Sequence, residues 1–273
     1  MMDKITAIIK NALKEDMPRG DISTDTLFTD ERSRARIVAK EDGVLSGMAI
    51  CQKTFLMVDP ETGFDMIRGD AEQVEKGSVL AYVEGKTSSI LKAERVALNF
   101  LQRLSGIATF TNQFVKEIAG TSAKIYDTRK TTPNLRILEK QAVLDGGGMN
   151  HRMNLSEMVM LKDNHIQAAG SITKAVTSVR DKLGDKYKIE VEVESVPMFQ
   201  EALSTSCDII MLDNMSLVDM AECVRINNGQ KKLEASGNMS LERVRKVAET
   251  GVDMISVGML THSYKSMDIS LKF

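Results

Sequence analysis

The spacing of apolar positions changes several times along this chain, and each change predicts a different element. Over residues 3–15, Ile5, Ile8, Ile9 and Leu13 recur at helical spacing, which predicts an amphipathic helix. Met17-Pro18-Arg19-Gly20-Asp21 reads as a turn. From Ala35 to Glu84 the apolar runs shorten to residues 35–39, 43–45 and 79–83, separated by Asp-Gly, Lys-Gly and Glu-Gly pairs. That texture predicts small antiparallel strands and hairpins. Residues 87–118 return to helical spacing through Leu91, Val96, Leu98, Leu101 and Leu104, with Ser105-Gly106 as a candidate break into two helices.

Beyond about residue 120, six short β-like runs follow, at residues 124–126, 158–161, 188–193, 208–212, 232–235 and 253–257. Helical segments separate most of them. The helix after the first run is expected to start with Thr132 as N-cap and Pro133 at its first position, and to end at Gly146-Gly147-Gly148. Cys207-Asp208-Ile209-Ile210-Met211-Leu212 and Val252-Asp253-Met254-Ile255-Ser256-Val257 resemble each other, which suggests a repeated βα unit. Strand–helix alternation implies a parallel sheet, either doubly wound or closed on itself. All six runs end in polar or glycine residues. A barrel gathers its ligand groups from many strand ends, whereas a doubly wound sheet concentrates them at one or two strands. The distribution predicts a β/α barrel.

Composition narrows the partners. The 273 residues are 42% hydrophobic, enough for a large domain or two unequal ones. Aromatics are 4% and the formal net charge is −2, so neither stacking platforms nor a global basic field invite nucleic acid or an acidic membrane. Cys51, Cys207 and Cys223 fit neither a zinc site nor a disulfide framework and read as core residues in a reducing cytoplasm. The first residues lack a signal-peptide core, and no run has the length of a membrane span. These features predict a cytoplasmic location.

The candidate chemistry is a local cationic cluster. Arg129, Lys130, His151, Arg152, Lys162 and His165 lie at or just after strand ends. A solvated charged face is the plain alternative. Arg129-Lys130 and Lys162, however, directly terminate apolar strands, where barrel side chains converge, and that many cations call for a polyanionic ligand. Glu190, Glu192 and Glu194 alternate, so they point to one side of their strand, and Asp213 ends the next. Glu190 reads as a structural ion-pair partner. Glu194 and Asp213 are placed to hold Mg²⁺ or to stabilise positive charge on a sugar. Ser236-Gly237-Asn238 and Gly258-Met259 end the last two strands, where barrels often bind phosphate through main-chain N–H groups.

At these residues the chain resembles the quinolinate phosphoribosyltransferases, the carboxylating nicotinate-nucleotide pyrophosphorylases. Asp127-Thr128-Arg129-Lys130-Thr131-Thr132-Pro133, Gly147-Gly148-Met149-Asn150-His151-Arg152 and Lys162-Asp163-Asn164-His165 carry the likeness. Glu192-Val193-Glu194, Leu212-Asp213-Asn214, Glu234-Ala235-Ser236-Gly237 and Arg103-Leu104-Ser105-Gly106 extend it over essentially the whole chain. The resemblance implies an N-terminal α/β sandwich domain over residues 1–114, joined by 266–273, and a C-terminal incomplete, open β/α barrel over 115–265. It implies that quinolinate and phosphoribosyl pyrophosphate, with Mg²⁺, yield nicotinate mononucleotide, pyrophosphate and CO₂. Arg129, Lys130, His151, Arg152 and Lys162 would bind carboxylates and pyrophosphate, with Lys130, Glu194 and Asp213 catalytic. Ser236, Gly237, Asn238, Gly258 and Met259 would hold the 5′-phosphate; many relatives have glycine where Asn238 stands. Arg103 would reach a neighbouring subunit's site, making the protein a homodimer with a shared active site, or a hexamer of such dimers. Three rivals remain. One is a molybdenum-associated transferase of the same superfamily. Another is a barrel lyase using Lys162 or Lys130 as a Schiff-base amine. The third is a biotinyl-like binding hairpin around residues 74–81, which lacks an attachment Met-Lys-Met.

Overall fold

The structure is a computed structural model describing the backbone of residues 2–273, with side chains from Lys4 onward. Its elements are, in chain order, α1 (Met2–Asp16), α2 (Ile22–Leu27), β1 (Arg32–Ala39), β2 (Gly43–Val44), α3 (Met48–Val58), β3 (Gly63–Met66), β4 (Gln73–Val74), β5 (Val79–Lys86) and α4 (Thr87–Glu117). Then follow β6 (Lys124–Tyr126), α5 (Arg136–Asp145), β7 (Val159–Leu161), α6 (Asp163–Ala169), α7 (Ile172–Leu183), β8 (Ile189–Val193), α8 (Val196–Leu203) and β9 (Ile209–Asp213). The last are α9 (Leu217–Asn227), β10 (Lys232–Ser236), α10 (Leu241–Glu249), β11 (Met254–Ser256), α11 (Met259–His262) and β12 (Ile269–Lys272). The chain divides into two compact units. The first runs to Asn112 and takes in Thr131–Gly147 and Ser263–Phe273; the second comprises Gln113–Lys130 and Gly148–His262.

In the first unit an antiparallel sheet of order β12-β1-β5-β3 carries the core. Ala35, Ile37 and Ala39 alternate inward on β1 and join Met48, Cys51 and Phe55 of α3 and Ile90, Ala93, Ala97 and Leu101 of α4. Strands and hairpins were the expectation for the whole of 35–84, and α3 corrects it. Its residues are apolar on nearly every side, so no helical stripe shows in the sequence. Gly47, in the left-handed region at φ 97°, turns the chain into it. The turn at residues 17–21 also opens into the short α2, whose N-cap Asp21 accepts from the Ser23 and Thr24 amides.

Two further expectations change in this unit. α4 runs unbroken through Ser105-Gly106. Ser105 is buried and exchanges hydrogen bonds with the Ser46 main chain (3.1 and 3.2 Å). A side chain at Gly106 would overlap the Lys265 carbonyl, so this glycine serves a close approach rather than a break. α5 begins at Arg136 instead of Pro133. Thr132 and Pro133 belong to a preceding turn closed by Leu135 N–H to Thr132 O (3.1 Å), and Glu139 accepts the Thr132 amide (3.0 Å).

The second unit holds a parallel sheet of order β6-β11-β10-β9-β8-β7. That is chain order around a circle, with the β6–β7 step unpaired. The sheet is therefore an incomplete, open β/α barrel. α5, the helix between β6 and β7 in the chain, belongs to the first unit. Register aligns Glu192, Met211, Glu234 and Met254 across four strands, so these side chains share the inner face with Glu190, Ser256, Tyr126 and Asp213. The resemblance between residues 207–212 and 252–257 has a structural basis. Asp208 accepts the Ile189 amide (2.7 Å) and Asp253 the Leu233 amide (2.9 Å), each tying its strand start to a neighbouring one. Arg180 and Lys232 pair with these aspartates (2.6 Å each). All three cysteines are buried and free.

Candidate active site

The barrel's strand ends carry most of the residues the sequence singled out. β6 ends at Tyr126, and Asp127 beyond it is fully buried. The returning chain pairs beside it: Tyr126 bridges Met149, and Met149 N–H bonds the Ile125 carbonyl (2.8 Å). This sets His151 over the inner face, its main-chain N–H donating to Asp127 Oδ1 (2.9 Å). Its ring stands edge-on to Tyr126 with centroids 6.5 Å apart.

His151 is drawn inward rather than displayed on the rim. Nε2 lies 3.1 Å from Glu190 Oε2 and 3.2 Å from Glu234 Oε2, and both glutamates are completely buried. Ser256 donates to the other Glu234 oxygen, Oε1. Two proton placements compete here. Burial opposes an imidazolium, but the hydrogen bonds and charges of the two carboxylates push His151 up to about 10. Burial and the Glu234 charge also push Glu190 up to about 7, against the pull of His151. The Arg152 amide donates to His151 Nδ1 (2.8 Å), which requires a lone pair there. The two carboxylates and the Arg152 amide thus engage opposite nitrogens of one ring.

Arg152 extends from the same turn. Its Nη1 donates to the Met158 carbonyl (2.9 Å) and Nη2 contacts Met160 Sδ (3.4 Å), while Nε is buried with no hydrogen-bond partner among the described residues. Burial and the nearby charge of Arg129 lower its pKa from the ordinary arginine value. Arg152 thus sits at a strand end half-desolvated and within reach of the charge of Arg129.

Lys130 lies opposite. Thr261 Oγ1 holds its carbonyl (2.8 Å), and a side chain added at Gly258 would come within 3.0 Å of Lys130 Cδ. Bare backbone at Gly258 thus lets the lysine stem lie flat across the last strand end, beside Met259 at the start of α11. Ser236 closes β10, and Gly237 (φ 91°) and Asn238 (φ 46°) both turn left-handed. A side chain at Gly237 would collide with Asn214, whose amide N–H bonds the Ser236 carbonyl (3.0 Å). Asn238 Nδ2 donates to Asn214 Oδ1 (3.2 Å), so this asparagine braces the loop with its side chain and leaves its main chain available.

The acids divide differently from the sequence expectation. Lys162, just past β7, donates to Glu192 Oε2 (2.5 Å), a carboxylate that is largely buried. Glu194 lies beyond the end of β8 and is exposed, and Asp213 ends β9 and accepts from Asn214 Nδ2 (2.7 Å). Glu190, Glu192 and Glu234 are the groups that sequence reasoning left out of the site. Their alternation with buried valines marked the first two as inward; nothing local marked Glu234. His165 leaves the cationic cluster, since its Nδ1 caps α6 by accepting the Lys162 amide (3.1 Å). Among the described residues, His151, Glu190 and Glu234 form the group of three whose spacing would suit a metal ion. Glu194 and Asp213 nevertheless fit Mg²⁺. They are hard oxygen donors on neighbouring strand ends, open enough for an ion that keeps waters and meets substrate phosphates.

Arg103 belongs to the first unit. Its Nε and Nη2 donate to Glu139 Oε1 (3.0 and 2.5 Å), and Nη2 also donates to Thr132 Oγ1. Glu139 is fully buried, and the Tyr264 ring lies 5.1 Å from the guanidinium carbon. The arginine is held in one orientation by a charged pair, a hydroxyl and a ring face.

Comparisons with known proteins agree on one family. The family model described as the quinolinate phosphoribosyl transferase N-terminal domain matches residues 21–105, and the C-terminal domain model matches 107–272. A probable nicotinate-nucleotide pyrophosphorylase [carboxylating] of Synechocystis is 46% identical over 95% of this chain and 89% of its own. Its Bacillus subtilis counterpart is 40% identical over 98% and 93%. The crystal structure of NadC from Streptococcus pyogenes superposes with a TM-score of 0.97 at 42% identity, over 100% of this chain and 97% of that one. With both domains matched and the barrel's strand ends so furnished, this chain belongs to the quinolinate phosphoribosyltransferase family.

Proposed function

We propose that the protein transfers a phosphoribosyl group from phosphoribosyl pyrophosphate to quinolinate and releases nicotinate mononucleotide, pyrophosphate and CO₂, a step of de novo NAD synthesis. The observation that carries this reading is Arg152 at the rim of a barrel of this family, its buried Nε without a hydrogen-bond partner among the described residues: a guanidinium so placed suits a carboxylate ligand. Lys162 is engaged by Glu192, so its amine is not presented free to a keto substrate as a Schiff-base lyase requires.

In this mechanism Arg129, Arg152 and Lys162 orient the pyridine dicarboxylate. Ser236, Gly237, Asn238 and Gly258 present main chain to the 5′-phosphate. Lys130, lying across Gly258, faces the pyrophosphate side. Glu194 and Asp213 would hold Mg²⁺, which when bound supplies positive charge to the departing pyrophosphate. The ring nitrogen donates its electron pair to the anomeric carbon as the carbon–oxygen bond to pyrophosphate breaks. Positive charge on the sugar is stabilised by the acids at the β8 and β9 ends. The C2–carboxylate bond then breaks and CO₂ leaves, the electron pair staying on C2, stabilised by the adjacent quaternised nitrogen, until C2 takes a proton. The protein's work is positioning and charge stabilisation, with no covalent nucleophile.

The reading extends to the assembly: Arg103 enters the site of a second copy, so the working unit is a homodimer, alone or as part of a hexamer. The decisive assay supplies quinolinate, phosphoribosyl pyrophosphate and Mg²⁺ and follows nicotinate mononucleotide and CO₂. Turnover of nicotinate in place of quinolinate would reject the substrate assignment.

A further inference from the structure

We propose that Glu190 and Glu234 are positioning residues for recognition of the pyridine dicarboxylate: from inside the barrel they hold His151, and His151 holds the main chain of Arg152. The proposal rests on the quinolinate reading above and names residues that reading does not use.

Two glutamates at 0% exposure would be strongly destabilising without partners. Their partner is one imidazole Nε2, 3.1 and 3.2 Å away. They come from alternate strands, β8 and β10, so the ring is gripped from two sides by the rigid part of the fold. Around the cluster stand the Tyr126 ring, Ser256 bonded to Glu234, and Asp127 bonded to the His151 amide. The opposite ring nitrogen receives the Arg152 amide (2.8 Å). A path therefore runs from the inner face to the turn carrying the arginine: two close carboxylate–imidazole contacts, then one hydrogen bond. The path also sets charge. An imidazole and two carboxylates in a dry site hold one extra proton among them, so the cluster carries about one negative charge. That charge tempers the repulsion between Arg152 and Arg129 without cancelling their attraction for a dianion.

Steady-state kinetics of Glu190→Gln, Glu234→Gln and the double variant test this, with thermal unfolding as the check on folding. The double variant should raise KM for quinolinate about tenfold or more and leave KM for phosphoribosyl pyrophosphate within about twofold. Each single variant should do less, because the remaining carboxylate still faces the ring. A wild-type protein that fails to use quinolinate would count against the function itself. A wild type that turns over, with a double variant of unchanged melting temperature and unchanged KM, would overturn the positioning role alone. An equal rise in both KM values marks general damage and overturns it as well. Should the double variant not fold, ¹⁵N spectra of the wild type's three histidines decide. One ring should keep a single protonation state between about pH 5 and 8, unlike a free imidazole. Three rings titrating like free imidazole, or a stoichiometric metal ion on that ring, would refute the proposal.

Discussion

At the scale of single residues, charge pairing decides which of three alternating glutamates does what. Glu190 goes to His151, Glu192 to Lys162, and Glu194 is left at the exposed edge. Losing the partner of a half-buried lysine leaves that charge uncompensated, whereas an exposed carboxylate is solvated either way. Glu192→Gln should therefore lower kcat/KM about tenfold or more, and by a larger factor than Glu194→Gln. Kinetics of the two variants side by side would show the order; the reverse order would restore Glu194 as the principal acid. Metal dependence belongs to the same scale. Chelation of Mg²⁺ should abolish turnover and leave the melting temperature unchanged, because Glu194 is exposed and Asp213, only partly buried, keeps its Asn214 partner without the ion.

At the scale of elements, α4 shows how a glycine can be misread. A Ser-Gly pair inside a helical run signals a break when only neighbours in sequence are considered. Here Gly106 lies mid-helix because the Lys265 carbonyl approaches it closely. Gly106→Ala should gain helix propensity yet destabilise the protein by about 1–3 kcal/mol, since backbone must move to admit the methyl group. Denaturant unfolding would measure it, and a stabilised variant would show that the approach is slack. α5 makes the complementary point. Pro133 looks like a first-turn proline, but Glu139 captures the Thr132 amide and holds the residues before the helix in a turn. The same carboxylate orients Arg103, so one buried acid shapes a loop and aims a guanidinium.

At the scale of the whole molecule, the proposed shared site makes a prediction no single chain can test. Arg103→Ala and Lys162→Ala proteins should each be nearly inactive alone. Mixed under conditions that exchange subunits, they should recover up to about a quarter of wild-type activity, the share expected if half the dimers are hybrids, each with one intact site. Proven exchange without recovery would place Arg103 outside the partner's site. Among the described residues no helix is long and apolar enough to cross a membrane.

The sequence by itself determined the alternation of elements, the six barrel strands to within a residue or two, and the furnishing of the strand ends. These are local properties: period, turn chemistry and the residue that follows an apolar run. It also carried the family likeness, which rests on contiguous motifs. The tertiary structure decided what depends on partners distant in the chain. It selected Glu192 for Lys162 across adjacent strands, buried His151 between Glu190 and Glu234 on alternate strands, and left the β6–β7 step unpaired. No local pattern encodes those choices. The energy of an ion pair, a buried proton or a missing strand pairing is set by what folding brings within a few ångströms.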